Sequence, residues 1–223
     1  MCFSASASFG AGVVLTVIGV VSLKQAKTPS QIPFSSIPLI FAVQQITEGF
    51  LWVALSNSFN STLQSITTYL FLFLAQVVWP TLIPFSVMMV EKDKKRKKNL
   101  LIFVGIGIIV SAYLFYCLLN YNIHASIIEY HIFYKQDYPL FLRLYGGALY
   151  LMATIVPHFI SSVKKMGILG CSILISYIVS TIFYHNYVLS VWCFFASIIA
   201  IEIYIIMKGI KNPANDILAV NLK

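Results

Sequence analysis

The sequence predicts an all-α polytopic membrane protein of seven transmembrane helices, with the N-terminus outside and the C-terminus inside. Three observations predict it. Hydrophobic residues make up 59% of the 223 and charged residues only 10%, with a mean hydropathy of +0.87. A soluble domain carries about 25% charged residues, so this chain cannot cover a water-facing surface and its solvent is lipid. Apolar segments recur along the chain at lengths near the ~20 residues that a bilayer core requires. Finally, the lysines alternate between loops, which sets the direction of the chain.

The spans read as 8–23, 34–55, 65–90, 100–120, 139–160, 167–184 and 187–207. The first is rich in Gly. No Lys or Arg precedes it, unlike a secretory signal, so it is expected to remain in the protein. The third contains Pro80 and Pro84 and is expected to kink. Lys24 and Lys27 follow span one, Lys92 and the run Lys94 to Lys98 follow span three, Lys164 and Lys165 follow span five, and Lys208 and Lys211 follow span seven. The intervening loops hold only Lys135. Residues 1–211 thus form one transmembrane domain, and 212–223 form a short cytoplasmic tail.

The formal net charge of +8 comes largely from that basic run. Lying between two apolar segments, it reads as a cytoplasmic loop facing anionic headgroups. The partner expected from composition is therefore the bilayer and not nucleic acid. Cys2, Cys117, Cys171 and Cys193 form no CxxC or zinc-ligand pattern. The loop residues His124, Glu129, His131 and Asp137 have no recognised metal spacing. No cofactor is expected. A retinal protein needs a Schiff-base lysine inside the last span, and none precedes Lys208 there.

In lipid an ionisable side chain is a functional candidate by default. Span two carries the strongest case. Gln44 and Glu48 are four apart, Gln45 and Glu48 three apart, and Glu48 and Trp52 four apart, so they share one helical face. A carboxylate flanked by amides, beside Gly49, must face the bundle interior. It serves either as a working site or as a clamp between helices. Arg143 in span five is its natural partner unless it snorkels to headgroups. Cys2, His185, Trp192 and Gln76 collect in the outer half. His158 and Glu202 occupy inner halves and could pair with each other.

The start Met1-Cys2-Phe3-Ser4-Ala5, the run Gln44-Gln45-x-x-Glu48-Gly49-x-x-Trp52, the segment Gln76-x-x-Trp79-Pro80 and the stretch Ser190-Val-Trp192-Cys193-Phe194 resemble a family. It consists of small bacterial multi-pass membrane proteins with a domain of unknown function, and the resemblance spans most of the chain. It implies the membrane architecture, in a bacterial inner membrane, and no activity. From the residues themselves, the leading expectation is a protein that binds or transports a small solute or ion. Glu48 would be the acceptor, Gln44, Gln45 and Gln76 the hydrogen-bonding lining, and Trp52, Trp79 and Trp192 the apolar walls. A second expectation is an outer-leaflet enzyme acting on a lipid or lipid-linked group, with Cys2 as nucleophile, His185 as base and Glu48 as the orienting group. A third is a sensor or assembly subunit whose polar cluster only locks helices.

Overall fold

The structure is a computed structural model. It describes residues 4–56, 61–128, 130–184, 187–192 and 195–210, the side chains of 140–144 excepted. The chain begins with α1 (Ala5–Lys24), capped by Ser4, whose Oγ accepts from the Ala7 N–H. It continues through a 3₁₀ turn (Pro29–Gln31) into α2 (Ile32–Ser56). α3 (Ser61–Leu72), a π-helical turn (Phe73–Val78) and α4 (Trp79–Val90) form one continuous stretch. α5 (Lys94–Asn120) is capped by Asp93 and leads into strands β1 (Ile123–Ile128) and β2 (His131–Gln136). α6 (Leu140–Ile160), α7 (Met166–Phe183), α8 (Val188–Trp192) and α9 (Ala196–Gly209) complete it.

Among the described residues, six helical stretches are long and apolar enough to cross a membrane by length and composition: Ala5–Lys24, Pro29–Ser56, Ser61–Val90, Lys94–Asn120, Met166–Phe183 and Val188–Gly209. In α6 (Leu140–Ile160) the described part Tyr145–Ile160 is a further apolar helix. The helices are apolar on their outer as well as inner faces, as lipid requires. In α1, Val13, Val14 and Val17 are all more than half exposed.

Small residues let backbones approach, which is how helices gain packing energy where lipid removes the hydrophobic drive. On α1 a Cβ at Gly12 would lie 2.6 Å from Ile46, and one at Gly19 would lie 2.6 Å from Leu39, both on α2. The α4–α5 crossing is tighter. A Cβ at Gly107 would sit 1.9 Å from the carbonyl oxygen of Pro80.

The kink expected of span three takes the form of the π turn directly ahead of Pro80. Proline has no N–H and its ring crowds the carbonyl of the residue four before it. The widened turn accommodates that loss, and side chains from other helices take up carbonyls along it. Tyr150 Oη donates to Ala75 O at 2.7 Å, and Ser111 Oγ donates to Val77 O at 2.6 Å.

One element departs from an all-helical reading. The loop after α5 is an antiparallel hairpin, with Ile123 opposite Gln136 and Ile128 opposite His131. It is docked on the bundle rather than solvated. Ala125, Ile132 and Tyr134 join a buried cluster with Leu51, Trp52, Phe71 and Leu118, and the rings of Tyr134 and Phe71 stack at 5.0 Å. A second buried cluster fills the opposite end, around Phe34, Val87, Leu100, Met166, Ile203 and Met207.

Candidate functional site

Gln44, Gln45 and Glu48 are each at most 1% exposed. The apolar periodicity of α2 dictates this, because their face is the one turned from lipid. Glu48 Oε1 accepts from Ser190 Oγ of α8 at 2.7 Å, and Oε2 accepts from Gln45 Nε2 at 3.4 Å. Gln44 Oε1 accepts from Trp79 Nε1 at 2.8 Å, and the Trp79 ring stacks on Phe41 at 4.2 Å. The amide–carboxylate face of span two therefore splits: Glu48 reaches toward α8, and Gln44 toward α4.

Two cavities lie in the bundle, the first against this face. The first, with about 680 Å³ of empty space counted out to its opening, is lined by Gln44, Phe41, Trp79, Thr154, His158 and Trp192 among mostly apolar neighbours. The second, about 710 Å³ on the same count, lies next to the hairpin and is lined by Gln76, Tyr113, Gln136, Tyr138, Tyr177 and Trp192 among others. The two share Ala75, Tyr150, Leu189 and Trp192, which form the partition between them. The partition is held by hydrogen bonds. Trp192 Nε1 donates to Ser176 Oγ at 2.9 Å, while Tyr150 is tied to the π turn through Ala75.

In the second cavity Gln76 Nε2 donates to Gln136 Oε1 at 3.0 Å, and Tyr138 Oη donates to Gln76 Oε1 at 3.3 Å. Burial pushes the Tyr138 phenol above its ordinary range, with Cys117, Tyr69 and Tyr113 adding to the effect, so it stays a protonated donor.

The residues singled out by sequence separate accordingly. Gln44, Trp79 and Trp192 line the first cavity, and Gln76 and Trp192 line the second. Glu48, Gln45 and Trp52 are buried but line neither. Cys2, His185 and the side chain of Arg143 lie outside the described residues. Glu202 is bonded to Ser172 Oγ at 2.6 Å, and His158 Nδ1 lies 3.3 Å from the Ile155 carbonyl, so each has a partner other than the other. Among the described residues no three of His, Cys, Asp and Glu come together as a metal site.

Sequence reasoning missed Tyr150 and Thr154, and gave His158 no place in a site. They fall at i, i+4 and i+8 on α6, and all three line the first cavity. That spacing marks one helical face and could have found them. It also missed Glu91, at the basic end of the bundle. This carboxylate is buried and accepts from Ser161 Oγ, the Ser162 N–H and hydroxyl, and the Asp93 N–H. Nearby, Arg96 Nη1 donates to Ile160 O at 2.8 Å. Burial raises the Glu91 pKa, but these hydrogen bonds, the Ser162 hydroxyl first, outweigh it and hold the carboxyl below its ordinary value.

The model of the Family of unknown function (DUF6629) matches residues 1–217. No curated protein and no solved structure matches the chain.

Proposed function

The chain belongs to this family of unknown function, and from that premise we propose that it binds a small solute inside its helix bundle, as the binding step of transport or reception. The observation that carries the reading is the pair of cavities meeting at Trp192. Membrane proteins that handle solutes place irregular backbone where it lines a cavity, and π turns concentrate at functional sites. Both features are in the partition: the π turn supplies Ala75, and the five-residue α8 supplies Leu189 and Trp192.

Glu48 then acts through α8. Its bond to Ser190 fixes the short helix that carries Trp192, so a change in the carboxylate would move the partition rather than touch the solute. We place the hairpin end outside and the basic end in the cytoplasm, following the lysine alternation. The reading as an assembly subunit has one observation in its favour: Glu48 is fully buried, hydrogen-bonded and behind the cavity walls.

The test is a melting screen of the purified protein in lipid nanodiscs against neutral, cationic and anionic small solutes. A ligand that binds only the folded state raises stability by about 2.7 kcal/mol at one hundred times its Kd. The expected result is a saturable rise for one class, with affinity lowered at least about tenfold in Trp192→Ala and unchanged in Trp52→Phe. If no class gives a saturable shift, solute binding is wrong and assembly takes its place.

A further inference from the structure

The cavity beneath the hairpin has a chemistry of its own. Tyr113, Tyr138, Tyr150, Tyr177 and Trp192 give it five aromatic walls, and Gln76 and Gln136 supply amides. Among the described residues, no ionised side chain lines it. A charged ligand would find no counter-ion among them in a low-dielectric site, at large cost. The aromatic faces suit a flat ring.

One polar atom on these residues, Gln136 Nε2, is buried with no hydrogen-bond partner among the described residues. Buried polar groups are almost always paired, so this donor marks a missing acceptor. The remaining donors and acceptors of the amide pair are already used, in the chain Tyr138 to Gln76 to Gln136.

The mouth of the cavity points to where the ligand comes from. Gly147 lines the cavity, is exposed on the outside of the bundle, and would place a Cβ in open space. It lies seven residues into α6, about 10 Å along the axis at 1.5 Å per residue. Its neighbours Tyr145 and Leu149 are exposed and apolar. The opening therefore faces lipid rather than the aqueous end of the helix.

Resting on the solute-binding reading above, we propose that this cavity takes up from the membrane a neutral, planar ring bearing carbonyl oxygens, the chemistry of a quinone head group. The ring lies between the tyrosines and Trp192, and a carbonyl accepts from Gln136 Nε2.

The test uses the full chain in nanodiscs and two probes: 2-methyl-1,4-naphthoquinone, and the same head group carrying an isoprenoid tail. Binding is read as saturable quenching of tryptophan fluorescence in a Trp52→Phe, Trp79→Phe background that leaves Trp192. The tailed probe should bind more tightly than the tailless one, because the site opens to lipid. Gln136→Leu should weaken binding roughly tenfold, as for one lost buried hydrogen bond. Gly147→Phe should abolish it, and Gly105→Phe, at an exposed glycine of α5 with equal room, should leave it unchanged. Melting in the absence of probe shows whether each variant is folded. Four outcomes would overturn the assignment: tighter binding of the tailless probe, equal binding by Gly147→Phe, equal binding by Gln136→Leu, or no saturable quenching. Saturable melting shifts with an organic cation and none with either quinone would remove this ligand class and leave solute binding standing. No shift with any solute would remove both.

Discussion

At the scale of single residues, two carboxylates do opposite jobs in the same bundle. Glu48 sits among apolar helices with one hydroxyl and one amide as its bonded partners in view. Glu48→Gln keeps the shape and still accepts from Ser190. It should fold and melt within about 1 kcal/mol of wild type. Glu48→Leu leaves Ser190 Oγ and Gln45 Nε2 without their acceptor and should cost about 1–3 kcal/mol. Equal melting of the two variants would show that these bonds carry no stability. Glu91 works outside the spans, and its effect depends on pH. Its carboxyl titrates below the ordinary 4.5 when folded and near that value when unfolded. The stabilisation is therefore complete above about pH 5 and is lost as pH falls through the folded pKa. Chemical denaturation of wild type and Glu91→Gln should show a gap that is constant from pH 7 to 5 and closes on further acidification. A gap that widens in acid would reverse the assigned sign. The Gln44, Gln45, Glu48 face could be read from spacing because three polar residues in one apolar run have only one side to face. Glu91 could not be read, because next to Lys92 it looks like one more solvated charge. Its burial depends on Ser161 and Ser162, some 70 residues away.

At the scale of elements, the helices follow from apolar length, whereas the two irregular elements follow from contacts that span the chain. Pro80 and Pro84 announce a kink, but the π turn also depends on Ser111 and Tyr150 reaching carbonyls from α5 and α6. Between Ile128 and His131, which pair across the hairpin, the sequence holds Glu129 and Tyr130, with none of the Gly or Asn that usually marks a tight turn. Its strands are held by Phe71, Trp52 and their neighbours. The α4–α5 crossing offers a direct test of backbone fit. Since Pro84 has no N–H to offer the Pro80 carbonyl, that group faces Gly107 across the crossing. Gly107→Ala would press a methyl onto backbone atoms, which have no rotamer to yield. We expect a loss of about 3 kcal/mol or more, the upper end for overpacking. Gly105→Ala on the same helix meets nothing and should melt at or slightly above the wild-type temperature. Comparable losses in both would mean that the crossing relaxes.

At the scale of the whole molecule, the basic cluster and the hairpin are separated by the length of one helix. α5 begins at Lys94, within the cluster, and ends at Asn120, two residues before β1. Its 27 residues span about 40 Å, enough to carry the chain across a bilayer core of about 30 Å. The two ends must then lie on opposite sides if α5 crosses. The lysine alternation assigns the cytoplasmic side to the basic end. Both ends offer exposed positions for a reporter thiol: Tyr130 at the hairpin tip is 74% exposed, and Lys95 is exposed on the first turn of α5. In a background with Cys2, Cys117, Cys171 and Cys193 changed to Ala, Tyr130→Cys should react with a membrane-impermeant maleimide on intact cells. Lys95→Cys should react only after permeabilisation. Reversed labelling would keep the fold and invert its orientation. Labelling of both sites on intact cells would mean that α5 does not cross, and the cavity opening at Gly147 would then no longer face lipid.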